Sequence, residues 1–157
     1  MDASLHHRID PELARHALAF LAPLMERAVS DSAIGQSGVL YVVVMHPGRP
    51  AGRFKFEDAI LYEEAYGKPR NEWDADYADY ARKKARVSWS SGARSGDPCT
   101  VPRWLDLGQA TALPGGMVVE DTVVAASGAN PVYDEVLAGA VALSLRAAIM
   151  LRAEAAS

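Results

Sequence analysis

The chain has one cysteine, Cys99, so no internal disulfide can form, which fits a reducing cytoplasm. Cys99 follows Asp97-Pro98 in a loop-like context and reads as a bystander. Half of the residues are hydrophobic (50%), yet no uninterrupted apolar run approaches the length of a membrane span. Met1 to Arg8 has no apolar signal-peptide core. The expectation is a cytoplasmic protein that makes no use of a membrane. An excess of positive charge is also missing. A formal net charge of -4 argues against a general nucleic-acid binder. The sequence contains no G-x-G-x-x-G, P-loop, G-x-S-x-G or H-E-x-x-H motif. Its four histidines are not spaced as a metal cluster, so no metal site is expected. Repeats and low-complexity tracts are absent. The 157 residues suit a single domain with its own core, preceded by a disordered start over residues 1–9.

What is present is a clear succession of elements. Asp10-Pro11-Glu12 has the form of a helix start, an N-cap followed by proline at the first position. Leu13, Ala17, Phe20, Leu21, Leu24 and Ala28 then mark an apolar helical face, which Pro23 should kink or end near Ala22. Gly38 to His46 is the strongest strand, a continuous β-branched run of the kind covered on both faces. After the Pro47-Gly48-Arg49-Pro50 turn, Arg53 to Glu57 alternates charged and aromatic residues and predicts a half-buried strand. Ala59 to Gly67 reads equally as strand or short helix. Trp73 to Ser91 has helical spacing, and Gly92 to Asp106 is a long irregular connection. Pro114-Gly115-Gly116 is a turn, and Met117 to Val119 and Thr122 to Ala126 form a hairpin around Glu120-Asp121. Asn130-Pro131 then opens a long helix with Asp134 and Glu135 in its first turn. Hairpins flanked by helices predict an α+β fold with a central antiparallel sheet.

Leu113-Pro114-Gly115-Gly116, Ser127-Gly128, Asp134-Glu135 and Ala138 fall in the order found in the GlcG/HbpS family, small bacterial domains linked to haem binding, which this chain resembles. Lys84-Ala85 matches a Lys-Ala pair on a family helix. The resemblance implies a central antiparallel sheet with helices around it, haem as a possible cofactor and a homo-oligomer. It covers Ala59 to Gln109 poorly.

Chemistry concentrates in that middle segment. All three tryptophans, Trp73, Trp89 and Trp104, lie there with Tyr77 and Tyr80, among Arg82, Lys83, Lys84, Arg86, Arg94 and Arg103. Flat aromatic faces beside guanidinium forks suit a small planar anionic ligand. The same pattern also describes an amphipathic helix with solvated cations, paired with Glu72, Asp74, Asp76 and Asp79. The ligand-binding candidates are His46, Tyr77, Tyr80, Arg86, Trp89 and Arg94. Ser127 and Gly128 join them because free N–H groups at a following helix start can hold an anion. His16 and His46 are the histidines that could face haem iron. For proton transfer the candidates are Glu57, Glu63, Glu64, Tyr62 and Tyr66, with Glu57, Glu64 and Tyr66 foremost. Two functions follow: a module that binds haem or another planar anionic aromatic molecule, or a cofactor-independent lyase or isomerase acting on a small aromatic acid such as a hydroxylaminobenzoate.

Overall fold

A computed structural model describes residues 9–106 and 108–155. The disordered start expected for residues 1–9 falls outside them, apart from Ile9, which is buried.

The first helix, α1 (Pro11–Phe20), is capped by Asp10, whose carboxylate accepts from the Leu13 N–H at 2.8 Å. Pro23 has the effect expected of it. The chain breaks at Leu21 and resumes as α2 (Ala22–Ser30), with the proline in the first turn, where its missing N–H costs nothing.

Strand β1 (Val39–Met45) follows, and all seven of its residues are buried. Its neighbours are β2 (Ile60–Gly67) on one side and β4 (Thr122–Ser127) on the other. The short β3 (Gly116–Val119) closes the order β2-β1-β4-β3. Every pairing is antiparallel. The period of two along β1 divides the apolar residues into two cores. Leu40, Val42 and Val44 pack under α1, α2 and the last helix, α5 (Pro131–Glu154). Tyr41, Val43 and Met45 pack under α4 (Tyr77–Ser91) on the opposite face. The fold is α+β, a four-stranded antiparallel sheet between two layers of helix, as expected.

Two expectations need correction. Arg53 to Glu57 is not a strand. It holds an isolated bridge between Ala51 and Phe54, then the single-turn helix α3 (Phe56–Ala59). Only one of its aromatics goes inside: Phe56 is buried and Phe54 is exposed. The hairpin partner of β1 is therefore Ile60–Gly67, which settles the open segment as strand. The predicted Trp73–Ser91 helix begins only at Tyr77, where Asp76 caps it by accepting from the Asp79 N–H. Trp73 stays outside and donates its indole N–H to the Lys68 carbonyl.

The Glu120-Asp121 turn joins β3 to β4, with Glu120 in the left-handed region (φ 57). Asn130 caps α5 by accepting from the Val132 N–H. By length and composition alone, α5 could cross a membrane. In this fold one side of it, including Leu137, Val141 and Leu145, is buried against the sheet.

Candidate functional site

The two sides of α4 do different work. Ala78, Ala81, Ala85 and Val87 point into the core, while Arg82, Lys83 and Arg86 border an open cleft of about 550 Å³. Phe56 of α3 and Ile60 of β2 give the cleft an apolar floor, and Gly108 and Gln109 reach it from the irregular connection. Arg82 grips Glu63 of β2 with two parallel hydrogen bonds of 2.7 and 2.8 Å. That contact is the main reason its guanidinium is held even more firmly protonated than usual. Arg86 donates to Glu57 at 2.8 Å, and its guanidinium carbon lies 4.1 Å from the centre of the Phe56 ring. Glu57 sits below the usual carboxylate range, first through a bond to its own backbone N–H and then through Arg86. Lys83 pairs with Asp79 at 2.7 Å. Three cations therefore line the cleft, each with a carboxylate partner. Of those partners, the Glu57 side chain is the most exposed, at 70%, against 22% for Glu63.

Away from the cleft, α4 also carries one half of a buried ion pair. Lys84 Nζ donates to Asp134 Oδ2 at 2.7 Å and to the Ala126 carbonyl at 3.0 Å, with both side chains 1% exposed. The other Asp134 oxygen accepts from the Ala129 N–H at 2.9 Å. The lysine crosses from the α4 layer to the start of α5 near the end of β4, where Gly115, just before β3, leaves room. A Cβ on Gly115 would come within 2.9 Å of both Lys84 Cδ and Nζ. Burial pushes the Asp134 carboxyl up to about 6, against the lowering effect of Lys84, and burial lowers Lys84.

The structure brings Arg86, Glu57 and Glu63 together in the cleft and places the other candidates elsewhere. His46 and Trp89 line a separate cavity of about 160 Å³. There His46 Nδ1 accepts from the Gly48 N–H, and Trp89 donates to the Arg49 carbonyl. The Trp89 ring meets Phe56 edge-on at 5.7 Å. Tyr77 donates to Asp74 and packs on Trp73, while Tyr80 is exposed beside Lys83. Arg94 pairs with Glu135 at 2.9 Å. Ser127 is buried at the end of β4. Gly128 packs against the Val39 carbonyl and borders a third cavity, of about 330 Å³, formed with the Ser32–Gln36 loop. Glu64 and Tyr66 lie on the far side of β2, across the sheet from the cleft. Their partners in register, Val42 and Leu40, belong to the α1/α5 core. Tyr66 donates to Glu64 at 2.9 Å, and burial, then this carboxylate, pushes its phenol far up. The proton-transfer candidates thus divide, with Glu57 and Glu63 at the cleft and Tyr62, Glu64 and Tyr66 across the sheet from it. Among the described residues no group of three or more His, Cys, Asp or Glu side chains could hold a metal ion.

Sequence reasoning missed Phe56 and the Lys84–Asp134 pair. For Lys84 a signal existed, since it lies in the same three- and four-residue spacing as Ala81, Ala85 and Ser88, all buried here. No protein-family model matches this chain, and no curated protein matches it.

Proposed function

We propose that the protein binds a small planar aromatic carboxylate in the cleft between α3, β2 and α4. The observation that carries this reading is Arg86. Its guanidinium is stacked on the Phe56 ring and hydrogen-bonded to the exposed Glu57. A ligand carboxylate can replace Glu57 on the same planar fork while its ring lies on the Phe56 and Ile60 floor. The cavity volume of about 550 Å³ falls in the range of small-molecule sites.

Haem fits this cleft less well. An axial ligand would come from imidazole, thiolate, thioether or phenolate, and none of these lines it. His46 faces a cavity of about 160 Å³ on the other side of Trp89, and His16 is exposed on α1. A lyase would need an acid or base at the ligand. Of the candidates Glu57 and Glu63 reach the cleft, each already engaged by an arginine. Binding is therefore preferred to catalysis. The GlcG/HbpS resemblance stays part of the proposal as a fold-level analogy, which by itself does not set the ligand.

Calorimetric titration with benzoate and 4-hydroxybenzoate, with acetate as the control for charge alone, tests the proposal. Arg86→Ala should weaken binding of the aromatic acids by about 10- to 100-fold, the worth of a charge-assisted contact. Arg86→Lys should not restore it, because an ammonium lacks the fork. Unchanged affinity in Arg86→Ala, or acetate bound as tightly as benzoate, would reject the site. A Soret band on adding haemin, lost in His46→Ala, would move the function to haem.

A further inference from the structure

At one end of the sheet, the cavity of about 160 Å³ lies between three separate elements: the loop after β1, the turn joining β3 to β4, and the last turn of α4. Met45, Val118 and Val123 give it an apolar back wall, and Trp89 closes one side. Its charged borders are Arg49 and the Glu120-Asp121 turn. The loop is held firmly. Gly48 donates its N–H to His46 Nδ1 at 3.0 Å, and Arg49 donates its N–H to the His46 carbonyl at 2.9 Å. Trp89 in turn donates to the Arg49 carbonyl at 2.8 Å. A site tied to rigid elements in this way has little order left to lose when a ligand enters.

From this arrangement we propose that the cavity binds a small aliphatic amino acid as its zwitterion. Arg49 and Asp121 carry opposite charges and border the same space, yet neither forms an ion pair among the described residues. They stand on opposite flanks of the end of β1. The Arg49 guanidinium donates to the Asp58 carbonyl, just ahead of β2, whereas Asp121 sits on the turn into β4. That bond leaves most of the guanidinium donors for another acceptor. A carboxylate suits the planar guanidinium and an ammonium suits the aspartate, each through a charge-assisted hydrogen bond. One small molecule that carries both groups satisfies both residues at once. The adjacent Glu120 does not compete for the ammonium, because it is paired with Arg146 at 2.7 Å.

Two further features belong to a built site. Glu120 is the one non-glycine residue with positive φ (57) among the described residues. A two-residue hairpin turn ordinarily gives such a position to glycine, asparagine or aspartate. Backbone held against its preference gathers at functional sites, and here it carries Asp121 to the edge of the cavity. Ser88, on the α4 wall, has a buried hydroxyl with no hydrogen-bond partner among the described residues. An orphaned buried hydroxyl is costly, and a polar ligand at this wall is a partner for it. The volume sets the size of that ligand. A cavity of about 150 Å³ takes benzene, so this one takes about six to eight non-hydrogen atoms, the range from alanine to valine. The wall of Met45, Val118 and Val123 suits the aliphatic side chain.

Equilibrium dialysis of the full chain against radiolabelled L-valine, with unlabelled competitors, tests the proposal. L-alanine should compete. Isovalerate, which keeps only the carboxylate, and isobutylamine, which keeps only the ammonium, should each compete at least about 10-fold more weakly than unlabelled L-valine, since each lacks one charge-assisted contact. Arg49→Gln and Asp121→Asn should each weaken L-valine by about 10- to 100-fold. Their melting temperatures should not change, because Arg49 is only half-buried and Asp121 is exposed. Should Arg49→Gln fail to fold, Arg49→Lys, which keeps the charge and loses the fork, takes its place. Arg86→Ala, in the cleft on the other side of Trp89, should leave L-valine binding unchanged. No retention of L-valine at millimolar concentration would overturn the proposal. So would isovalerate or isobutylamine competing as well as L-valine, unchanged affinity in either variant, or a loss of L-valine in Arg86→Ala, which would move the amino acid to the other cleft.

Discussion

Lys84 and Asp134 each lie in a place where a single charge could not survive. The pair spans two helices and the end of β4, and both side chains are withdrawn from water. Breaking such a pair is costly because the remaining charge keeps its burial penalty without its partner. The two halves differ, however. With its carboxyl pushed up to about 6, Asp134 takes a proton more readily than an ordinary carboxylate, and it keeps the Ala129 N–H. Lys84, though lowered, has much further to go from its ordinary value of 10.5. Asp134→Ala should therefore cost about 3–5 kcal/mol, and Lys84→Met clearly less. The double variant Lys84→Met/Asp134→Ala should be more stable than Asp134→Ala alone. Urea unfolding of the four proteins gives the cycle. Strict additivity would mean that the two groups do not depend on each other. The cleft shows how residue choice from sequence can succeed and fail on one strand. Glu57 and Arg86 were identifiable by type and position. Choosing between Glu63 and Glu64 required knowing which face of β2 turns toward α4. That depends on pairing with β1, which sets Glu63 opposite Val43 and Glu64 opposite Val42 and which composition does not encode.

At the level of elements, the segments with redundant local signals were legible. β1 has an unbroken β-branched run, α5 has a cap, a proline and an apolar face, and the α1/α2 break follows from Pro23 alone. Arg53–Glu57 was misread because alternation over five residues can be satisfied by one aromatic that dips inward while the rest stays in solvent. The turn from β4 into α5 offers a sharp test of local geometry. Gly128 has φ 131, and a Cβ there would lie 2.1 Å from the Val39 carbonyl oxygen at the start of β1. Gly92, at the end of α4, also has positive φ (71) but open space around it. Gly92→Ala should therefore cost only about 1 kcal/mol for the left-handed backbone. Gly128→Ala should cost distinctly more, because strain and clash act together. Equal melting temperatures for the two variants would show that the β4–α5 turn can yield.

For the molecule as a whole, β1 is the shared wall of both cores. Val43 faces α4 and Val44 faces the α1/α5 layer, and each is 0% exposed. A carboxylate at either position has no partner and no route to water. Val43→Asp and Val44→Asp should each abolish the native circular dichroism and the cooperative melt, although they poison different layers. Retention of half the structure in either variant would mean that the two layers are separate folding units. The α+β class, the antiparallel sheet and the central place of β1 could all be anticipated. The division of α4 into a core side and a cleft side could not, because it depends on α3 and β2 supplying carboxylates from elsewhere in the chain.

The position of β1 also sets the order of events during synthesis. Its first partner, β2, follows within a short loop and one helical turn, so this hairpin can close early. Its second edge must wait for β4, where Tyr41 meets Ser127, and the face under Val42 must wait for α5. Until those residues leave the ribosome, an intensely apolar strand has one open edge and one face covered only by α1 and α2, the combination that recruits stray strands and chaperones. Pairing so distant in sequence also makes the final closure the slow step of folding. Nascent chains stalled before Thr122 should accordingly be held by chaperones rather than fold.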